Sequence, residues 1–208
     1  EYTAIISSSN KYKIHTIANY WAPKFGLDPY IVFMCICGES RGVPTSATSY
    51  SGGGYGLMQC ERSVYFNKKQ TITFIDGTTK SFTPSYSTMQ PYKGGNTTIN
   101  GVTVDKNISN QIMFGCHELR YSADWCHYNI FAMLIGNNMG IGAAAWIVNK
   151  YVAEKYNFTF KNSYLNFYSL PLDYRTKCYE VLESGTGDFA SYRKDWVDYR
   201  NSIGKPAG

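Results

Sequence analysis

Histidine is scarce, with only three (15, 117 and 127) in 208 residues. They share no ligand spacing with the cysteines or carboxylates, so no metal site is expected. Long apolar runs are also missing. The best, Tyr30 to Cys37, is eight residues, far short of a membrane span. Charged residues make up only 17% of the chain, and the basic ones are scattered rather than gathered in a stripe. The net charge of +5 therefore does not point to nucleic acid, although a modest positive balance suits an anionic polymer. With 44% hydrophobic residues the chain is globular and not disordered.

What the chain has in quantity is tyrosine, 19 residues within a 16% aromatic content. Aromatic faces pack well on the C–H faces of sugar rings, so a tyrosine-rich groove suits a polysaccharide, although most of these rings belong to core or surface. Six cysteines (35, 37, 60, 116, 126, 178) permit three disulfides in fifteen pairings. Cys35 and Cys37 fall two apart on one expected helix and point to different sides, and a chain of this size needs no staples. Free, buried thiols are expected. A Cys116–His127 nucleophilic pair is the alternative. The length fits one domain.

In chain order, residues 1–9 read as a polar lead-in. Lys11 to Phe25 carries Ile14, Ile17, Ala18 and Trp21 at helical spacing and is closed by Gly26. Asp28-Pro29 starts a buried helix over 29–38. Residues 43–54 are rich in Ser, Thr, Gly and Pro and form a loop or short strands. Residues 68–105 are a β insertion of two hairpins, turning at Asp76-Gly77 and Asn100-Gly101. Pro84 to Gly95 links them as a loop. Helical periodicity returns over 110–124, with Ile112, Cys116, Leu119 and Ala123 on one face. Residues 127–136 form a buried helix, a turn follows at 137–140, and 143–156 is helical. Helices over 172–183 and 189–201 flank a Gly185–Gly187 break, and 203–208 resembles the start of a linker. The core thus comprises 10–67 and 106–201.

The stretch that carries chemistry runs from Tyr30, an apolar helix ending in Gly38-Glu39-Ser40-Arg41. Apolar neighbours and the negative end of the helix dipole both disfavour the charged form of Glu39. A carboxylic acid kept protonated is what cleavage of a glycosidic bond needs for its leaving-group oxygen. Glu39-Ser40 is followed by Gly52-Gly53-Gly54 and Tyr55-Gly56-Leu57-Met58-Gln59. Later come Gln111-Ile112-x-x-Gly115-x-x-x-Leu119 and Ile135-Gly136-Asn137-Asn138-Met139-Gly140-Ile141-Gly142-Ala143. This series, covering about 12–150, resembles the lytic transglycosylase and goose-type lysozyme superfamily.

The resemblance implies an α+β, mainly α, lysozyme-like fold with the small β-hairpin insertion beside its cleft. It implies cleavage of the β-1,4 bond between N-acetylmuramic acid and N-acetylglucosamine in peptidoglycan, with Glu39 as general acid and then base, and with no cofactor. Ser49, Tyr55, Gly56, Leu57, Met58, Gln59, Asn137 and Asn138 fall on substrate-binding positions. Asn137 stands where the family carries tyrosine, so that hydroxyl must come from elsewhere. Glu61 occupies a slot that is acidic in goose-type lysozymes. It is the candidate second carboxylate for an inverting hydrolase, or else a solvated charge beside Arg62 or Lys68. A non-catalytic glycan-binding module and an architectural part of a phage tail or secretion machine are the other classes. Lacking an initiator Met and an apolar leader, the chain is expected to be processed, excised from a larger protein, or carried to the cell wall on a virion.

Overall fold

A computed structural model describes residues 2–49, 51–125, 130–156 and 189–205. It is α+β and mainly helical, with small two-stranded antiparallel sheets. Among the described residues no helix is long and apolar enough to cross a membrane. The chain divides into two compact units, Glu1–Arg120 and Tyr121–Gly208, and the division falls within one helix.

The first unit opens with helix α1 (Tyr2–Tyr12), where the sequence reads as a polar lead-in. Its serines and threonine are weak helix formers but do not break a helix. Lys13 takes a left-handed conformation (φ 57°) and separates α1 from α2 (Ile14–Trp21). The single helix expected over 11–25 is therefore two elements, α2 and a 3₁₀ turn (Ala22–Phe25) that Pro23 tightens and Gly26 (φ 68°) closes. Ile14, Ile17, Ala18, Ala22 and Phe25 are buried, which accounts for the helical spacing of apolar residues.

Helix α3 (Pro29–Ser40) starts as its sequence requires, with the Asp28 side chain accepting the Tyr30 N–H at 2.8 Å. It ends at Arg41, left-handed at φ 53°. The expected full burial is not found. Val32, Cys35 and Ile36 face the core, while Tyr30 and Met34 are exposed one turn apart.

Strands β1 (Gly54–Tyr55) and β2 (Cys60–Glu61) pair around the Gly56–Gln59 turn and lead into the short helix α4 (Arg62–Tyr65). The insertion contains both expected hairpins, β3 (Gln70–Thr73) with β4 (Thr79–Phe82), and β5 (Asn96–Ile99) with β6 (Val102–Asp105). Asn100 and Gly101 both have positive φ (49° and 79°), giving the two-residue turn that suits the strand twist. The first hairpin turns differently. Thr73 pairs with Thr79 across five residues, and Asp76 uses its carboxylate to accept the Thr78 N–H (2.9 Å) and hydroxyl (2.7 Å). The expected loop over 84–95 contains a helical turn, α5 (Tyr86–Met89). Phe82, at the end of β4, is buried and packs on Phe114.

Helix α6 (Lys106–Trp125) is the longest described element. Ile112, Cys116, Leu119 and Ala123 are all buried, as their spacing requires. The helix begins four residues earlier than expected because Asp105 caps it. One carboxylate oxygen accepts the N–H groups of Asn107 (2.8 Å) and Ile108 (2.9 Å), and the other accepts that of Tyr92 (2.7 Å).

In the second unit, α7 (Ile130–Met139) and α8 (Ile141–Tyr156) pack together, and the Ser122 hydroxyl donates to the Met133 carbonyl at 2.9 Å. The expected turn at 137–140 is instead the last helical turn of α7, closed by Gly140 at φ 86°. Helix α9 (Phe189–Ser202) brings Trp196 and Tyr199 against Trp146 of α8, and Asp195 onto Lys150 at 2.6 Å. Residue 127, the helix expected over 172–183 and the glycine break at 185–187 lie outside the described residues.

Asp105 joins the insertion to α6, so its removal tests that junction. Asp105→Ala should lower unfolding stability by about 0.5–2 kcal/mol, the usual cost of losing a helix cap. Asp105→Asn should recover most of it. Urea unfolding of the three chains decides the matter, and equal midpoints would refute the capping role.

Candidate functional site

Glu39 lies half-buried in the last turn of α3, one turn after Cys35. The Cys35 thiol is pushed up to about 12, chiefly by burial and further by the Glu39 charge. Glu39 thus shares the side of the helix that carries the buried Cys35, four residues earlier. Ser40, next to it, turns inward and donates to the Ile36 carbonyl at 3.0 Å. Arg41 and Gly42 then reverse the chain in left-handed conformations (φ 53° and 75°). Within four more residues the chain lies along the β1–β2 hairpin, where the Ser46 carbonyl accepts the Gly56 N–H at 2.8 Å. The acid and the Gly-Leu-Met-Gln turn are thus joined by a short, doubly kinked connection.

The turn is held from below by α6. Gln111 is buried, and its side-chain oxygen accepts the Leu57 N–H at 2.7 Å. Its nitrogen donates to the Pro44 carbonyl at 2.8 Å and the Met89 carbonyl at 2.7 Å. One amide therefore ties together the strand-like loop after Glu39, the hairpin turn and α5 of the insertion. One helical turn later, Gly115 faces Met58, and any side chain there would collide with it. At Gly56 a Cβ would lie 2.6 Å from the Gln111 oxygen. The residues of the Gln-Ile-x-x-Gly motif are those that seat the Gly-Leu-Met turn.

Tyr55, Gly56, Leu57 and Met58 are all buried, and the side chains of Tyr55, Leu57 and Met58 form the packing of this turn. Gln59 has φ 50°, and its amide donates to the carbonyls of Gly56 (2.7 Å) and Ser46 (3.2 Å). The Gly54 Cα approaches the same side chain, since a Cβ there would lie 2.6 Å from the Gln59 oxygen. The close approach that this glycine allows is therefore to the protein's own glutamine. Ser49 is exposed on the loop before β1. Glu61 is exposed on β2 and accepts the Ser63 hydroxyl at 3.1 Å, while Lys68 donates to the Ser63 carbonyl at 3.0 Å. These residues all belong to the first unit. Asn137, half-buried, and Asn138, exposed, belong to the second.

A group that sequence reasoning missed is Glu118. It lies one turn beyond Gly115, on the side of α6 that meets the hairpin, and accepts a hydrogen bond from Tyr65 of α4. Burial pushes its carboxyl above the usual glutamate range, and the Tyr65 hydrogen bond offsets only part of this. The Tyr65 hydroxyl is raised in turn, first by its own burial and then by Glu118. The Cys60 thiol is also raised, mainly by burial and then by the charges of Glu118 and Glu61. His117, beside Phe25 and Phe114, is held low by burial. The signal was the i, i+3 relation of Gly115 to Glu118, visible only once Gly115 is known to face Met58. Among the described residues Cys35, Cys37, Cys60 and Cys116 are free thiols, and Cys37 is half-buried where full burial was expected. No group of metal-binding side chains occurs among them.

Comparison with protein-family models, curated proteins and solved structures returns no match.

Two substitutions test this arrangement. Gln111→Leu leaves one N–H and two carbonyls without their side-chain partner, each lost bond costing roughly 1–3 kcal/mol. The folded fraction should collapse or the denaturation midpoint fall sharply, and an unchanged midpoint would refute the clamp. Glu118 acts through pH. Its folded-state value is raised, so its contribution to stability is whole below the ordinary value of 4.5 and is lost as pH rises through the folded value. Glu118→Gln keeps the Tyr65 bond without a charge. Its melting temperature relative to the parent chain should therefore increase steadily as pH rises above 4.5. A pH-independent difference would contradict the buried-carboxylate account.

Proposed function

We propose that this chain cuts the glycan strand of peptidoglycan between N-acetylmuramic acid and N-acetylglucosamine, with Glu39 as the acid. The observation that carries this reading is the joining of three motifs in one unit. Glu39 lies in the last turn of α3, seven residues later Ser46 bonds the Gly56–Gln59 turn, and Gln111 and Gly115 seat that turn on α6. Such a support holds a preformed backbone surface a short connection away from the acid, and glycosidic cleavage calls for a substrate positioned between surfaces of this kind and a proton donor. The lysozyme-like architecture belongs to the same reading, as does action at the cell wall, whether secreted or on a virion.

In the reaction the Glu39 carboxyl gives its proton to the bridging oxygen, and the bond from that oxygen to the muramic C1 breaks. N-acetylglucosamine leaves with a free 4-hydroxyl. The Glu39 carboxylate then takes the proton of the muramic 6-hydroxyl as that oxygen bonds to C1, closing a 1,6-anhydro ring and restoring the acid. This lytic transglycosylase route needs one carboxylate. An inverting hydrolase needs a second one holding a water. Glu61 is exposed and accepts the Ser63 hydroxyl, which supports its reading as a solvated charge and with it the one-carboxylate route.

Glu39→Gln should lower release of fragments from purified peptidoglycan by about 10²–10⁴-fold, the usual worth of general acid catalysis. Folding, followed by circular dichroism, should be unchanged. Mass spectrometry of the fragments should find products one water lighter than reducing ends. Reducing ends that vanish in Glu61→Gln would establish the hydrolase instead. Full activity of Glu39→Gln would overturn the assignment of the acid.

A further inference from the structure

Tyr86 is supplied by the insertion and is 49% exposed, yet it is held from several sides. Its ring meets Tyr55 of β1 edge-on at 5.3 Å and Phe66 at 5.2 Å, with interplanar angles of 81° and 87°. Its hydroxyl accepts from Arg62 Nη1 at 2.9 Å. The same guanidinium donates to the Gly53 carbonyl (2.8 Å) and the Thr48 carbonyl (3.1 Å), so the ring and the Thr48–Gly53 loop are tied to one side chain. The helical turn that carries Tyr86 is anchored in turn by three amides of α6. Asn107 donates to the Ser87 and Gln90 carbonyls, Asn110 to Thr88 and Gln111 to Met89, all at 2.7–2.9 Å.

A lone exposed ring is ordinary on a protein surface. A ring immobilised in this way is different, because its ordering has been completed before any ligand arrives. Its surroundings name the ligand's chemistry. The aromatic face attracts polarised C–H groups, and the exposed hydroxyls of Ser49 and Ser51 lie on the loop that Arg62 ties to the ring. A flat apolar face beside small hydroxyl groups and a fixed guanidinium matches a pyranose ring with equatorial hydroxyls.

We propose that Tyr86 is a glycan-stacking residue which, with Arg62 holding it, extends the substrate contact from the Gly-Leu-Met-Gln hairpin onto the insertion. The inference rests on the reading of the chain as a peptidoglycan-cleaving enzyme and adds a determinant of strand length to it. Long strands reach Tyr86, whereas fragments that fill only the positions next to Glu39 do not.

The test measures binding and cleavage separately. Binding of purified glycan strands and of the disaccharide-tetrasaccharide fragments is followed by co-sedimentation and by tyrosine fluorescence in the Glu39→Gln chain, with and without Tyr86→Ala. Tyr86→Ala should weaken long-strand binding by roughly tenfold, as loss of one well-placed aromatic contact does. Short-fragment binding should stay unchanged, and Tyr86→Phe, which keeps the ring, should bind long strands nearly as the parent does. In the Glu39 chain, Tyr86→Ala should raise KM for long strands with little change in kcat. Equal weakening for long and short glycans, or none for either, would overturn the proposal. Tyr86-dependent strand binding by a chain that releases no fragments would uphold it while refuting the catalytic reading. Absence of any glycan binding would refute both.

Discussion

A buried amide must have its hydrogen bonds met inside the protein, and in this chain that requirement falls on Gln111. Leaving one such group unpaired costs on the order of 1–3 kcal/mol, comparable to a large part of a domain's net stability. The side chain can be buried only if Leu57, Pro44 and Met89 are all in place at once. Three segments that are far apart in sequence are therefore ordered together or not at all. The hairpin turn, the loop after Glu39 and the insertion share one switch-like condition for being folded, and α6 supplies it. Gly115 adds a steric condition to the polar one, since only a missing side chain lets Met58 sit against the helix.

Helix α6 serves two neighbours with two faces. Gln111, Gly115 and Glu118 look to the hairpin and α4. Cys116 lies far enough round that the Cys35 thiol of α3 weighs on its own. Burial on both sides explains why the helix tolerates so few solvent-facing residues in its middle, and why Asn107, Asn110 and Gln111 each spend their amides on carbonyls of the 87–90 turn. The insertion is therefore not a free appendage. Its second hairpin ends in the cap of α6, and its helical turn is bonded to that helix.

The parts of this architecture legible in the sequence are those fixed by local chemistry. Asp28-Pro29 starts α3, Asn100-Gly101 turns β5 into β6, and the apolar spacing of Ile112, Cys116 and Leu119 marks α6. The parts that were not legible depend on distant partners. Helix α1 carries three serines and a threonine, which are weak helix formers, and has no clear cap, so little in its sequence announces it. Asn137 and Asn138 look like a turn, but a helix can carry asparagines in its last turn when Gly140 follows to close it. At the candidate site the motif residues were visible and their task was not. Gln59 falls on a substrate-binding position by resemblance, and in the fold its amide also donates to the Gly56 and Ser46 carbonyls while the Gly54 backbone approaches its side chain. Glu118 carries no motif at all, and only the packing of Gly115 on Met58 brings it beside Tyr65.

The free thiols among the described residues have a bearing on how the chain would meet an oxidising medium. Disulfide exchange proceeds through the thiolate. With the Cys35 thiol pushed up to about 12, its thiolate is scarce at neutral pH. Cys60 and Cys116 are shifted in the same direction by the same burial. In the folded state these sulfurs are therefore nearly inert toward oxidants, without any bridge to protect them. Unfolding returns them to ordinary acidity and exposes them together, so an oxidising medium would trap the opened chain. In an oxidising medium, loss of the opened chain would follow the equilibrium population of the open form where reclosing outpaces oxidation, and the rate of opening where oxidation is faster.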